Sequence, residues 1–244
     1  MNRELGKALR RVPGPGLRPR ILTKVLLLVW WMASSVLCGW ALEDESAATD
    51  PRNPSKVIFR LEAPAREEMT RPGEVIEALR LMRGQVVGDI GAGTGYFARR
   101  FARQVGPEGL VFAVDIEPKF LEELARRAAE EGITNIVPVL AQPDNSLLAE
   151  TSCDLFFLHN VYIHLPDRVA YLKHLGTRLK QGGRIAIIGW RKEVIVLGPV
   201  QPKPRSKALA AEQVVEELDA AGFSVAENVE NFPERYFLIA LRRD

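Results

Sequence analysis

The residues best suited to chemistry lie in one run, Val86-Val-Gly-Asp-Ile-Gly91-Ala-Gly93-Thr-Gly95-Tyr96-Phe97, where a short apolar segment gives way to a helix-forming one. Glycines let a backbone turn tightly, adopt positive φ and come close to a ligand. Asp115 ends the next apolar segment, twenty residues after Gly95, and an acid so placed receives a ribose diol. A dinucleotide fingerprint would need Gly or Ala three residues after Gly93, where Tyr96 stands. Asp89, two residues before the first glycine, would repel a pyrophosphate and suits a cationic ligand instead. Both residues speak against an NAD-dependent oxidoreductase.

Three histidines, His159, His164 and His174, and two cysteines, Cys38 and Cys153, complete the inventory of reactive groups. Their spacing matches no Cys/His metal site, so no metal is expected. His164 follows the exit of an apolar segment and is a candidate base, with a solvated surface residue as the plain alternative. Asn160 is either a turn residue or a substrate contact. Tyr162 either packs or lines a pocket. Arg99, Arg100 and Arg103 read as the solvated face of a helix, and Lys203 and Arg205 as an exposed loop.

The elements that must hold these residues alternate. Apolar spacing predicts helices over 73–82, 96–105, 118–131, 168–180 and 206–221, the last with Ser206 as N-cap. Short apolar runs predict strands over 86–90, 110–114, 135–140, 153–158 and 184–188. Residues 223–229 and 236–241 have no helix between them and read as a closing hairpin. The expected fold is α/β: a mostly parallel sheet with helices on both faces and one antiparallel strand.

Taken together, these motifs resemble the class I methyltransferases that depend on S-adenosylmethionine (SAM). Asp89-Ile-Gly-Ala-Gly-Thr-Gly95 is similar to that family's first motif and Val114-Asp-Ile116 to its second. Asp154-Leu-Phe-Phe-Leu158 and Leu179-Lys-Gln-Gly-Gly-Arg-Ile-Ala-Ile-Ile188 follow in the family's order. The resemblance covers about residues 72–241 and implies a Rossmann-like, seven-stranded sheet with its last strand antiparallel. It implies that Gly91, Ala92, Gly93, Thr94 and Gly95 line the methionine and ribose of SAM, with Asp89 near the amino-acid end. Asp115 would bind the ribose hydroxyls and Ile116 would stack on adenine. Gln142 stands where many relatives have an Asp facing the adenine amino group. Asn160 matches the position that faces the transferable methyl and the substrate, and Asn160 and His164 are the candidates for positioning or deprotonating it. The implied activity is methyl transfer to a small-molecule acceptor. A membrane-tethered SAM-binding protein without transfer activity is the alternative, because Gln142 and Asn160 replace acids.

The chain is 244 residues long, with 33 Lys+Arg, 31 Asp+Glu, 47% hydrophobic and 26% charged residues. These ordinary globular values exclude a disordered chain, a collagen-like repeat and a disulfide-stapled scaffold. The net charge of +2 is unevenly spread. Residues 1–41 hold seven basic residues and one acid, whereas the rest holds 26 basic and 30 acidic residues. An acidic body without a basic stripe argues against nucleic acid as a partner. Residues 1–24 form a basic, Pro- and Gly-interrupted arm. Residues 25–42 are uncharged, and Glu43-Asp-Glu45 follows at once. This pattern fits a signal peptide cut after Ala41, or an uncleaved anchor of about 27 Å, barely the thickness of a bilayer core. Either reading places the protein at or beyond a membrane. Residues 43–71 read as a linker and pocket-capping region, and 72–244 as the catalytic domain.

Overall fold

A computed structural model describes residues 53–192 and 208–243. The basic arm, the apolar run, Cys38, Lys203, Arg205 and Ser206 lie outside the described residues. Seven strands form one sheet: β1 (Val86–Ile90), β2 (Leu110–Asp115), β3 (Ile136–Leu140), β4 (Cys153–His159), β5 (Leu179–Trp190), β6 (Phe223–Asn228) and β7 (Arg235–Arg242). Their order is β3-β2-β1-β4-β5-β7-β6. The first five run parallel, and β7 is antiparallel to both β5 and β6. This is the Rossmann-like sheet with one reversed strand that the sequence implies.

Seven α-helices accompany the sheet among the described residues: α1 (Pro54–Leu61), α2 (Ala65–Thr70), α3 (Pro72–Leu79), α4 (Ala98–Val105), α5 (Pro118–Glu130), α6 (Arg168–Arg178) and α7 (Ala211–Ala220). In β4 the side chains alternate between two cores. Leu155 and Phe157 join Val87, Phe101 and Leu124 on one face. Phe156 and Leu158 join Leu172, Val214 and Leu238 on the other. A strand buried on both faces reads as an unbroken apolar run, which is why period-two alternation is absent from its sequence. Each Phe or Leu so buried contributes about 1.5–3 kcal/mol.

Local signals start the helices. The Glu117 side chain accepts from the Lys119 N–H, with Pro118 opening α5. Asp167 accepts from the Ala170 N–H at the start of α6. Such caps supply partners for amides that a helix start leaves unpaired.

Several boundaries differ from the sequence reading. Helix α6 stops at Arg178, because Leu179 already pairs with Cys153 and begins β5. Helix α7 begins at Ala211, because Leu209 is tied to Arg191 in a short bridge. Helix α4 begins at Ala98, after Tyr96 and Phe97 complete the glycine turn. The segment read as linker and cap carries α1 and α2.

Candidate functional site

Strands β1 and β4 are neighbours, and the connections leaving their carboxyl ends run in opposite directions, to β2 and to β5, opening a crevice there, the usual ligand position in such sheets. A cavity of about 810 Å³ occupies that place. Its walls come from α1 and α2, the glycine loop, the ends of β2 and β4, and the start of β7.

The glycine loop is built by close contact. The amides of Gly91 and Ala92 both donate to the Val114 carbonyl, at 2.8 and 3.0 Å, holding the loop over the end of β2. Gly91 has φ +70°, and a Cβ there would meet Val161 Cγ2 at 2.5 Å. Gly93, at φ +56°, donates its amide to Asp115 Oδ2 at 2.7 Å. Asp115 Oδ1 accepts from the Glu117 amide at 3.0 Å. Burial raises the Asp115 pKa, opposed by the amides of Glu117, Gly93 and Ile116. Each carboxylate oxygen has further lone pairs, so Asp115, which lines the cavity, can still accept from a ligand. Ile116 beside it is 58% exposed and also lines the cavity.

Asn160 stands across the cavity, at the exit of β4. Its φ is +58° and its amide donates to the Ile188 carbonyl at 2.8 Å. Asn tolerates this conformation better than most residues, so the turn role holds. Its side-chain Oδ1 is also buried without a partner, an arrangement that favours a ligand donor. Gln142 and His164 line the same cavity, both exposed.

Three predicted residues lie off the wall. Thr94 is buried and its hydroxyl donates to Glu62. Gly95 faces Leu124, whose Cγ would sit 2.6 Å from a Cβ. Asp89 is 3% exposed, behind the loop. It accepts from the Ala98 amide, while its Oδ2 has no partner. Burial pushes the Asp89 pKa up to about 7, a rise that the nearby Arg66 charge opposes and Asp115 reinforces. Tyr162 packs: its hydroxyl donates to Glu217 at 2.6 Å, and burial is the main cause of its raised pKa.

The arginine face is corrected in part. Arg99 is 5% exposed and bridges Glu62 and Glu131, each at 3.1 Å. Arg100 lies over the Tyr96 ring and pairs with Glu67 at 2.6 Å. Only Arg103 of the three is exposed. Their acids come from α2, the end of α5 and the α1–α2 turn, which helical spacing alone does not reveal.

Sequence reasoning also passed over Arg66, Arg235 and His159, all of which line the cavity. Arg235 donates to His159 Nε2 at 2.9 Å and to the Met69 carbonyl at 2.8 Å. An arginine has no acceptor, so the His159 ring carries its proton on Nδ1. Burial, then the charges of Arg235 and Arg66, hold the His159 pKa well below the usual value, and it is neutral. One signal for His159 was available: a polar residue closing the apolar β4, directly before Asn160.

Residues 87–183 match the family model of a methyltransferase domain. Aklanonic acid methyltransferase of Streptomyces sp. (strain C5) is 36% identical over 103 residues, 42% of this chain and 47% of that protein. A ubiquinone/menaquinone biosynthesis C-methyltransferase of Klebsiella pneumoniae is 28% identical over 137 residues, 56% of this chain and 52% of its own length. The chain thus spans about half the length of these curated relatives. A SAM-dependent methyltransferase from Aquifex aeolicus superposes with a TM-score of 0.70 at 26% identity, covering 77% of this chain and 97% of that one. The cavity fits SAM on its own terms: a backbone that admits no Cβ at Gly91, an uncovered apolar platform at Ile116, and an unpartnered buried oxygen on Asn160. Residues 87–183 thus match a methyltransferase domain within a Rossmann-like sheet, and that match and the methyltransferase neighbours imply S-adenosylmethionine as the cofactor.

Proposed function

We propose that the protein transfers a methyl group from SAM to a small-molecule acceptor. The observation that carries this reading is the single cavity shared by Asp115 and Ile116 on one side and Asn160 on the other. SAM supplies an electrophilic methyl on a cationic sulfur, so the protein's task is chiefly to hold donor and acceptor in line. Asp115 accepts from the ribose hydroxyls, Ile116 supports the adenine, and Gln142 meets its edge. Asn160 Oδ1 accepts from a donor on the acceptor or the cofactor. Leu61, Val161 and Leu165 contribute apolar wall that keeps water from the reacting atoms.

His159 does not serve as a base, because its Nε2 is taken by Arg235 and its charged form is disfavoured. His164, exposed at the rim, is the candidate for receiving a proton where the acceptor carries one. The relatives named for aklanonic acid and for quinone biosynthesis support a small organic acceptor, which the mostly apolar wall suits.

Calorimetric titration with SAM tests the assignment. Asp115→Ala removes the ribose acceptor and should weaken binding at least 30-fold, about the value of one hydrogen bond to a charged group. An unchanged affinity would overturn it. The apolar run 25–42, outside the described residues, supports a tethered or exported location. Labelling of a cysteine tag placed after Asp244, from outside intact cells, tests that location. Among the described residues no helix is long and apolar enough to cross a membrane.

A further inference from the structure

Strand β4 ends in His159, which lines the cavity. The ring is held on two sides. Its centroid lies 4.9 Å from that of Phe97 and 6.2 Å from that of Phe157, the latter ring nearly parallel to it. At one edge Arg235 donates to Nε2 at 2.9 Å. Arg235 is itself fixed by the Met69 carbonyl at 2.8 Å and by the Trp190 ring, 4.1 Å from its Cζ. Orientation and tautomer are therefore both set, because the bond made by one ring nitrogen decides which of them carries the proton.

The other edge of the ring is Nδ1–H. Among the described residues no group accepts from it. A neutral imidazole in this tautomer can only donate there, and a cation bound at Nε2 polarises the ring and strengthens the donor. The charges that act on the ring, Arg235 and Arg66, are both positive, so an anionic oxygen is the favoured partner. One N–H suits an anion with one oxygen, whereas a carboxylate is best met by a two-pronged donor. The place is also that of the acceptor. The cofactor residues Asp115 and Gly91 stand at β2 and β1, whereas His159 reaches from β4 across β5 to the start of β7.

We infer that the Nδ1–H of His159 binds the oxygen anion of an ionised phenol, the methyl acceptor, with Arg235 as the positioning residue of that donor. This rests on the methyl-transfer reading above and adds to it the chemical class of the acceptor. The mostly apolar wall of the cavity suits the aromatic body of such a molecule.

The test is calorimetry on the full chain saturated with S-adenosylhomocysteine, at a pH where 4-nitrophenol is ionised. The probes are 4-nitrophenolate, its uncharged analogue 4-nitroanisole, and 4-nitrobenzoate. The wild type should bind the phenolate about 10- to 100-fold more tightly than the anisole, the range of one hydrogen bond to a charged group, and more tightly than the benzoate. His159→Phe keeps an aromatic ring beside Phe97 and Phe157 and removes the donor. It should lose the preference while binding the anisole and S-adenosylhomocysteine within about twofold of wild type, which also shows that it is folded. A second readout needs no variant. In protein with labelled histidines, the Nδ1 proton of His159 should move downfield with the phenolate and not with the anisole. An unmoved proton, or a His159→Phe chain that keeps the preference, would overturn the inference. So would a wild type that binds no probe, binds the three equally or prefers the benzoate, and so would equal weakening of all three by His159→Phe, which marks a purely structural ring. A wild type that does not bind S-adenosylhomocysteine overturns the methyltransferase reading itself.

Discussion

Asp89→Asn offers a direct measure of the electrostatics under the glycine loop. The substitution keeps the shape of the side chain and an oxygen for the Ala98 amide, and removes only the charge. An acid whose pKa is raised in the folded state holds its proton more tightly there than in the unfolded chain. Stability is therefore greatest below the unfolded value and falls as pH rises toward the folded one. Here the interval runs from 3.8 to about 7, roughly three pH units. At about 1.4 kcal/mol per unit the upper bound is about 4 kcal/mol. Between pH 5 and 8 the wild type should lose about 2–3 kcal/mol from this group, and Asp89→Asn should not. The assay is urea unfolding followed by circular dichroism, in the absence of ligand, on both proteins at half-unit steps of pH. Plotted as variant minus wild type, the difference should climb through that range and level off above pH 8. Other titrating groups cancel in the difference. A flat difference, or one that falls with pH, would show that Asp89 is ionised and compensated in the folded protein. The account of an unpartnered acid behind the loop would then be wrong.

Two further outcomes follow from packing. Glu62 joins Thr94, Arg99 and Arg127 from three separate segments. Glu62→Ala leaves Arg99 buried with Glu131 alone, and should cost about 2–3 kcal/mol. For a domain of this size that lowers the Tm by about 5–10 °C; a shift under 2 °C in a thermal melt would refute the bridging role. Cys153 is fully buried and burial pushes its thiol up to about 11. In a Cys38→Ser background it should resist a thiol reagent at pH 8 until denaturant is added, and rapid modification of the native protein would contradict its place in the core.

The part of the site legible in the sequence is the part made by neighbours in the chain. The glycine loop, Asp115 and Ile116 depend on a strand–turn–helix succession whose geometry is set within a few residues. That is why motif spacing placed Gly91, Gly93, Asp115 and Asn160 around a single cavity. The same locality explains two misplacements. Thr94 and Gly95 share the motif, but the turn aims them at Glu62 and Leu124, away from the cavity. The arginine helix shows the reverse limit. Residues 99, 100 and 103 look alike in sequence, yet Arg99 is buried and Arg103 exposed, and the acids that pair with them lie about 30 to 40 residues away.

By itself the sequence determined the order of strands and helices, the reversed final strand and the ligand-facing loop, because apolar periodicity and glycine spacing are properties of short stretches. Only the tertiary structure decided what closes the cavity. Short, Pro-interrupted helices at 54–70 carry too little periodicity to be recognised, yet they bring Leu61, Arg66 and Met69 over the loop. Arg235 reaches the cavity because β7 runs opposite to its neighbours and so starts where they end. Charge compensation is decided in the same way. Whether a buried cation such as Arg99 is satisfied depends on the distance to its acids, Glu62 and Glu131, which is fixed only when remote segments pack.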